Sequence, residues 1–322
     1  MRLSLLDRSR TRAGHPDAAA LTHTIERAVE AERLGYSRFW VAEHHGVPGV
    51  ASGAPGVLLA AIGARTTSIR IGSGGVMLPN HQPLVVAEQF LMLAGLHPGR
   101  VDLGVGRSVG FTEPVRRALR RSAEEPDTFA DDLVELRGYL DRTAPVTARP
   151  ALDEVVPVFV LATGRGLRVA AELGCPVVLG GPVLDQPELP DLLAAYRRDF
   201  RPHRDSRPHV TVSLDVLVAD TDAEARELAL PEVWAMVRSR RTGVFGALEP
   251  VAAIHDQPWD ARTADRVRQG LDGVAAGSAS TVRRRLERLA DLTGAEELLA
   301  TGSTYDRSAL AGSDTALAAL LA

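Results

Sequence analysis

The chain has 322 residues, of which 45% are hydrophobic and 24% charged, and its formal net charge is −4. This length suits a single domain with one large core, and the absence of a basic stripe argues against nucleic acid as a partner. All 37 residues in the lysine-plus-arginine class are arginine. Mechanisms that need a Schiff-base lysine or a phosphate-binding P-loop lysine are therefore excluded.

Cys175 is the single cysteine, which excludes an internal disulfide and a multi-thiolate zinc site. The first ten residues, MRLSLLDRSR, lack the long apolar segment of a secretory signal. No apolar stretch approaches the roughly 20 residues that a membrane-spanning helix needs. We therefore expect a cytoplasmic protein that does not contact membranes.

Short apolar runs alternate with amphipathic segments from the first residues onward, which predicts strands separated by helices. Glycine or proline punctuates most of the boundaries between them. In chain order, the predicted strands are 3–6, 37–42, 69–78, 101–105, 157–162, 177–179, 209–219 and 297–301. The predicted helices are 17–34, 56–65, 83–96, 129–141, 167–173, 186–200, 222–240, 280–293 and 305–321.

Eight strands with helices between them predict a (β/α)8 TIM barrel that occupies residues 1–322 as one domain. A doubly wound open sheet is the alternative, but no G-x-G-x-x-G motif opens the first strand–helix unit. Two segments exceed the usual length of a connection, 106–155 after strand four and 242–277 after strand seven. We interpret the second either as a mobile lid or entrance segment or as a disordered insertion.

Catalytic groups in such a barrel lie where the strands end. Strand two ends in Glu43-His44-His45, and strand three contains Gly74-Gly75, which lets a flat group approach the backbone. Arg107 ends strand four, and Thr163-Gly164-Arg165 opens the helix after strand five, where backbone N–H groups suit a phosphate. Together these residues predict a phosphorylated aromatic cofactor.

Each feature also has a purely structural interpretation. Gly74-Gly75 fits a β-bulge, Arg107 an ion pair with Glu43, and Thr163 a helix cap. His45 fits a scaffold histidine held by hydrogen bonds. Glu43 and His45 fit metal ligands as well, because alternate residues of a strand share a face. His81 and Asp7 are the only candidates for a third ligand, and since neither is convincing we predict no metal.

Three segments resemble the bacterial luciferase-like flavin monooxygenases. They are LGYSRFWVAEHHGVPGVASGAP, IRIGSGGVMLPNHQPLVVAEQFLMLAGLHPGRVDLGVGR and VRRRLERLADLTGAEELL. Their order and spacing also match, and the subgroup of polyketide tailoring, as in the mensacarcin pathway, looks most similar. The resemblance implies a TIM barrel that takes reduced FMN from a separate flavin reductase. Oxygen added at flavin C4a gives a hydroperoxide that hydroxylates or Baeyer–Villiger oxidises an organic small molecule, with polyketides as candidates.

The same resemblance assigns roles to individual residues. His44 is the catalytic histidine, with Glu43 or His45 fixing its tautomer, and Gly74-Gly75 is a cis peptide beneath the flavin ring. Arg107 binds the flavin phosphate. Where the family offers several hydroxyl groups to this phosphate, the chain has Thr163-Gly164-Arg165. Arg165 therefore either replaces them through a charge-assisted contact or points outward.

Two alternatives to this function stay open. One branch of the family uses the deazaflavin F420 and transfers hydride without oxygen, and a flavin-binding relative without oxygenase activity is also conceivable. As in the family, we expect a homodimer, formed through the apolar faces of helices 54–65 and 83–96.

Overall fold

Eight parallel strands close into a barrel in the computed structural model of the chain, which describes residues 1–122 and 124–321. The first strand pairs with the last, so that no edge stays open. The predicted TIM barrel is therefore confirmed. The barrel strands are β1 (Arg2–Asp7), β2 (Arg38–Val41), β3 (Arg70–Met77), β4 (Val101–Gly106), β5 (Val158–Ala162), β6 (Val177–Gly180), β7 (Val210–Leu214) and β10 (Glu297–Ala300).

Helices surround the barrel and bury their apolar sides against it. α2 (Pro55–Gly63) and α3 (Pro83–Leu96) each begin with proline at the first helical position. Thr221 and Glu224 form a capping box at the start of α8 (Asp222–Thr242). No helix in the described parts of the chain is both long and apolar enough to cross a membrane. The helices are α1 (Ala18–Arg33), α2 (Pro55–Gly63), α3 (Pro83–Leu96), α4 (Glu113–Ala118), α5 (Phe129–Leu140), α6 (Arg165–Glu172), α7 (Leu189–Asp199), α8 (Asp222–Thr242), α9 (Val251–His255), α10 (Ala261–Gly273), α11 (Ala279–Thr293) and α12 (Arg307–Leu321), with 3-10 turns at Leu78–Asn80 and Gly181–Asp185.

The interior of the barrel consists of an apolar layer above a layer of charged groups. Leu6, Trp40 and Phe159 belong to the apolar layer. Below it, near the amino ends of the strands, Arg38 binds Asp102 through Nη1 at 2.5 Å and Glu297 through Nε at 2.9 Å. Because these buried charges are paired, they can be tolerated inside the barrel. This charged layer lies at the amino ends of the strands, so the carboxyl ends are available for a binding site.

The predicted strand 209–219 is two strands in the structure. β7 ends at Leu214, and β8 (Val216–Val218) pairs instead with β9 (Ala275–Gly277) in a separate two-stranded sheet. The division falls at Asp215, whose carboxylate accepts a hydrogen bond from Arg8 at 2.8 Å. Alternation of apolar residues continues through both strands, so the pattern could not reveal that the pairing partner changes.

Residues 242–277 fold into α9, α10 and β9, so the disordered alternative for this segment is wrong. Ile254 and Val267 pack with Trp234 of α8 in a core of their own. Leu248 exchanges backbone hydrogen bonds of 2.8 and 2.9 Å with Ala13 and Thr11 in the loop after β1. The segment is therefore a fixed wall of the barrel mouth rather than a mobile lid. The segment is rich in glycine, proline and aspartate, so its widely spaced apolar residues form no helical or strand pattern that the sequence would reveal.

Candidate functional site

Five consecutive strands carry the candidate residues to one mouth of the barrel. β1 to β5 are neighbours in sequence order around the barrel, and all run in the same direction. Arg8, Glu43-His44-His45, Arg107 and Thr163 therefore follow the carboxyl ends of adjacent strands. This is the end at which barrels of this type bind their ligands.

His44 is mostly buried in this mouth. Its backbone N–H donates to the carbonyl oxygen of Ser52 at 2.9 Å, and its ring stacks on Phe111 with centroids 5.6 Å apart and planes 8° apart. Burial, followed by the positive charges of Arg8 and Arg10, lowers the pKa of His44 to about 4. Its Nδ1 is buried and has no hydrogen-bond partner within the described residues. A polar group of a ligand could therefore satisfy this atom.

Glu43 does not contact His44 through its carboxylate. Oε1 of Glu43 lies 2.7 Å from Nε2 of His45 and 2.7 Å from Nε2 of His81, and Oε2 accepts the N–H of Met77 at 3.1 Å. Burial opposes ionisation, but the hydrogen bonds from the imidazoles and the backbone outweigh it and hold the pKa of Glu43 below its ordinary value.

Two expectations about Glu43 are therefore wrong. Neither Glu43 nor His45 fixes the tautomer of His44 through Nδ1, because that atom has no partner in the described chain and Glu43 binds His45, His81 and Met77 instead. Glu43 also does not pair with Arg107, whose Nη2 lies 2.8 Å from Oδ2 of Asp127. β2 ends at Val41, so Glu43 and His44 lie in the loop that follows it, where strand alternation no longer predicts where a side chain points.

His81 joins this cluster, while Asp7 does not. Asp7 is buried in a different network, where it accepts hydrogen bonds from Thr24 at 2.8 Å and from Arg27 at 2.9 Å. The sequence named both residues as weak candidates for a third metal ligand. Only the 3-10 turn after β3, which sets the position of His81, decided between them.

Gly74 and Gly75 are joined by a cis peptide bond, as the resemblance implies, and the register between β3 and β4 shifts at this point. A Cβ atom on Gly74 would lie 2.7 Å from Leu6, and one on Gly75 would lie 2.9 Å from both the carbonyl oxygen of Gly104 and the side chain of Leu161. Packing inside the barrel therefore requires glycine at position 75, where the contact is with backbone, whereas at position 74 the contact is with the end of a leucine side chain. The bulge interpretation is also correct, since the irregularity accompanies the glycines.

Arg107 and Thr163-Gly164-Arg165 form the other end of the site. Residues 163–165 are exposed, and Arg107 is partly exposed beside Asp127. Gly164, with φ of +21°, is the cap residue of α6, so Thr163 is not the helix cap. A backbone turn with two nearby arginines can receive an anion.

Arg8 and Arg10 were not singled out by their positions in the sequence. Arg8 binds Asp215 at 2.8 Å and lies 3.3 Å from Glu232, and Arg10 donates to Glu232 at 2.7 Å. Arg10 also lies over the ring of Phe245, 4.1 Å from its centroid. This cluster ties β1 to α8 and the wall segment, and it places two cations near His44. Its partners are more than 200 residues away, so no local signal reveals it.

Comparison with known proteins gives a consistent result. The family model described as luciferase-like monooxygenase matches residues 1–296. A luciferase-like monooxygenase of Escherichia coli K12 is 36% identical over 316 residues, covering 95% of this chain and 92% of that protein. N-acetyl-S-alkylcysteine monooxygenase of Bacillus subtilis is 32% identical over 302 residues, covering 90% and 89%. The crystal structure of apo-MsnO8 matches with a TM-score of 0.88 and 35% identity, covering 99% of this chain and 98% of that one.

Two further solved structures share the fold at lower identity. The oxygenating constituent of 3,6-diketocamphane monooxygenase from Pseudomonas putida, in complex with FMN, matches with a TM-score of 0.72 and 20% identity, covering 99% of this chain and 96% of that one. An F420-dependent secondary alcohol dehydrogenase with an F420-acetone adduct matches with a TM-score of 0.72 and 16% identity, covering 100% and 99%. At these identities the likeness concerns the fold alone.

Proposed function

Because this chain belongs to the luciferase-like monooxygenase family, we propose that it uses reduced FMN and O2 to oxygenate an organic small molecule. The observation that carries this proposal is the convergence of His44, the Gly74-Gly75 segment and the arginine-rich phosphate end on one barrel mouth. One oxygen atom of O2 would enter the substrate and the other would leave as water.

The phosphate end fits FMN by its donor set. Arg107 and Arg165 follow the neighbouring strands β4 and β5. The turn at Gly164 precedes α6, whose first residue is Arg165. A dianionic phosphate suits such a set, because charge-assisted hydrogen bonds and the positive helix end both favour it. Arg107 would exchange Asp127 for the phosphate, which costs little because this ion pair is largely exposed.

The other end fits a ring and a reacting group. Nδ1 of His44 is a buried polar atom without a partner in the described chain, and we assign proton exchange with the substrate to this atom. The positive charges of Arg8 and Arg10, held by Glu232, favour the neutral form of His44, which can accept a proton from the substrate. When bound, reduced FMN would supply the electrons that activate dioxygen.

Segment 107–128 is the lid in this proposal. Among the residues that the structure describes, every hydrogen bond of 108–126 stays within that segment, and α4 has no buried residue. It reaches the barrel mouth through Phe111, stacked on His44, and through Val115, packed against Gly46. Such weakly attached segments open at low cost, and closure would exclude water from His44.

Binding and turnover test the function. Fluorescence titration of the protein with FMN and with F420 is expected to give tighter binding of FMN, and Arg107→Gln is expected to weaken it. With reduced FMN and O2, an S-alkylated N-acetylcysteine and a panel of polyketides would be assayed for oxygenated product. His44→Ala should lose product while retaining FMN binding. Preference for F420, or product formed normally by His44→Ala, would contradict the proposal.

We also propose a homodimer and a transient flavin reductase as partners. α2 and α3 expose Val57, Val85, Met92 and Leu96, although the rest of each helix packs on the barrel. A row of exposed apolar side chains on two adjacent helices is typical of a contact between subunits. The reductase follows from the need for FMN that is already reduced.

A further inference from the structure

We propose that Glu43, His45 and His81 bind a divalent transition-metal ion at the rim of the barrel mouth. One ligand atom from each residue lies within 4.8 Å of the other two. The pairing of β2 with β3 brings these residues together, although His81 lies 38 positions from Glu43. The third ligand that the sequence alone did not supply is therefore present. This site is independent of the proposed flavin chemistry.

Glu43 is a buried carboxylate without an arginine partner. Its side chain is 0% exposed, and the basic side chains within ion-pair distance in the described chain are the imidazoles of His45 and His81. No arginine reaches this carboxylate among the recorded ion pairs, in contrast to the buried Asp7, Asp102 and Glu297. Burying a carboxylate without a full cationic partner is costly, and a divalent ion would compensate it.

The backbone fixes the orientation of the Glu43 carboxylate. The N–H of Met77 holds Oε2 of Glu43 at 3.1 Å, which turns Oε1 towards both imidazoles. A backbone group that fixes the second oxygen of a ligating carboxylate is a common support of metal sites. Oε1 lies 2.7 Å from each Nε2. Ligand atoms around a tetrahedral ion stand about 3.3 Å apart, so binding needs only a small outward movement of two rings.

The two histidine side chains can be reached from solvent. His45 and His81 are partly exposed, and their rings are tilted by 50° with centroids 6.4 Å apart. An ion can therefore enter from the solvent side, where water would complete its coordination. Two nitrogen ligands and one oxygen ligand favour Zn²⁺, Ni²⁺, Co²⁺ or Fe²⁺ over Mg²⁺ and Ca²⁺, which prefer oxygen alone.

Isothermal titration of the full chain with Zn²⁺, Ni²⁺ and Mg²⁺, without flavin, tests the site. We expect one Zn²⁺ or Ni²⁺ per chain and no measurable Mg²⁺ binding. His81→Gln and His45→Gln should each weaken binding at least about tenfold, the smallest loss typical of disturbed metal sites. The visible spectrum of bound Co²⁺ should show a low-symmetry site in the wild type and disappear in both variants.

His255→Gln is the matched control. His255 forms a hydrogen bond of 2.8 Å with Glu227, so it also belongs to a histidine–glutamate pair, but this pair is not part of a three-ligand cluster in the described chain. The control should bind the ion as the wild type does. Circular dichroism of each metal-free variant checks folding, and the two histidine variants serve as replicates if one fails to fold. The metal site would be overturned if the wild type binds no stoichiometric ion, or if His45→Gln and His81→Gln bind it as tightly as the wild type. Neither result affects the test of FMN binding.

Discussion

Glu297, at the start of β10, allows a quantitative test of the charged layer inside the barrel. Its side chain is 1% exposed and accepts hydrogen bonds from Ser4 at 2.5 Å and from Arg38 at 2.9 Å. Burial raises the pKa of Glu297, but His209, whose Nε2 lies 3.5 Å from Oε2, and the charge of Arg38 lower it by more, so that the pKa falls from 4.5 to about 2. At about 1.4 kcal/mol per pH unit, the ionised carboxylate contributes about 3 kcal/mol to folding.

The sign of the pH dependence follows from this lowered pKa. The contribution of Glu297 is complete above the unfolded-state pKa of 4.5 and is lost as the pH falls towards about 2. Glu297→Gln removes the titrating group. The difference in unfolding free energy between wild type and variant should therefore shrink by about 2 kcal/mol between pH 7 and pH 3.

Urea unfolding followed by circular dichroism at several pH values measures this difference. Glu296→Gln, at the adjacent and more exposed position, is the control, and it should change stability by no more than about 0.5 kcal/mol at neutral pH. A difference for Glu297→Gln that stays constant from pH 7 to pH 3 would refute the reasoning. It would mean that the carboxylate titrates alike in the folded and unfolded chain.

Three other predictions concern the lid, the glycine strand and the dimer. Phe111→Ala should leave the unfolding temperature nearly unchanged, since Phe111 is 65% exposed. It should raise the fraction of reduced FMN whose oxidation yields hydrogen peroxide instead of oxygenated product. An unchanged ratio of product to oxidised FMN would argue against the lid. Gly75→Ala should destabilise the flavin-free protein by about 1–3 kcal/mol in thermal unfolding, because its Cβ would lie 2.9 Å from a backbone oxygen of β4, whereas Gly312→Ala in α12 meets open space and should not. Met92→Glu should give monomers in light scattering, and Val134→Glu, on α5 and similarly exposed, should leave the mass unchanged; the opposite pattern would move the interface.

Local patterns sufficed for most of the barrel. Buried parallel strands are short apolar runs and their covering helices are amphipathic, so both kinds of element are visible in a few consecutive residues. The predicted helix 129–141 matches α5, and the predicted strand 101–105 matches β4. The errors lie at β8 and in segment 242–277, where elements find partners outside the regular repeat, and at α4, which was not predicted and has no buried residue to give it an apolar pattern.

The sequence by itself determined where functional groups can lie. Strand ends mark the barrel mouth, and the order of the strands places His44, Gly74-Gly75 and Arg107 around it. The physical reason is that local hydrophobic periodicity sets where strands begin and end, and the helices between them make the strands run in one direction. Two of the three segments that carry the family resemblance contain these strand ends.

Only the tertiary structure decided which charged group meets which. Glu43 turns to His45 and His81 rather than to His44 or Arg107, and Arg8 reaches Asp215 across 207 positions. Such pairs depend on the register between strands and on how the insertions pack, and neither leaves a local pattern. The packing of the insertions also decided their roles: 242–277 is a wall of the mouth, and the weakly attached 107–128 is the proposed lid.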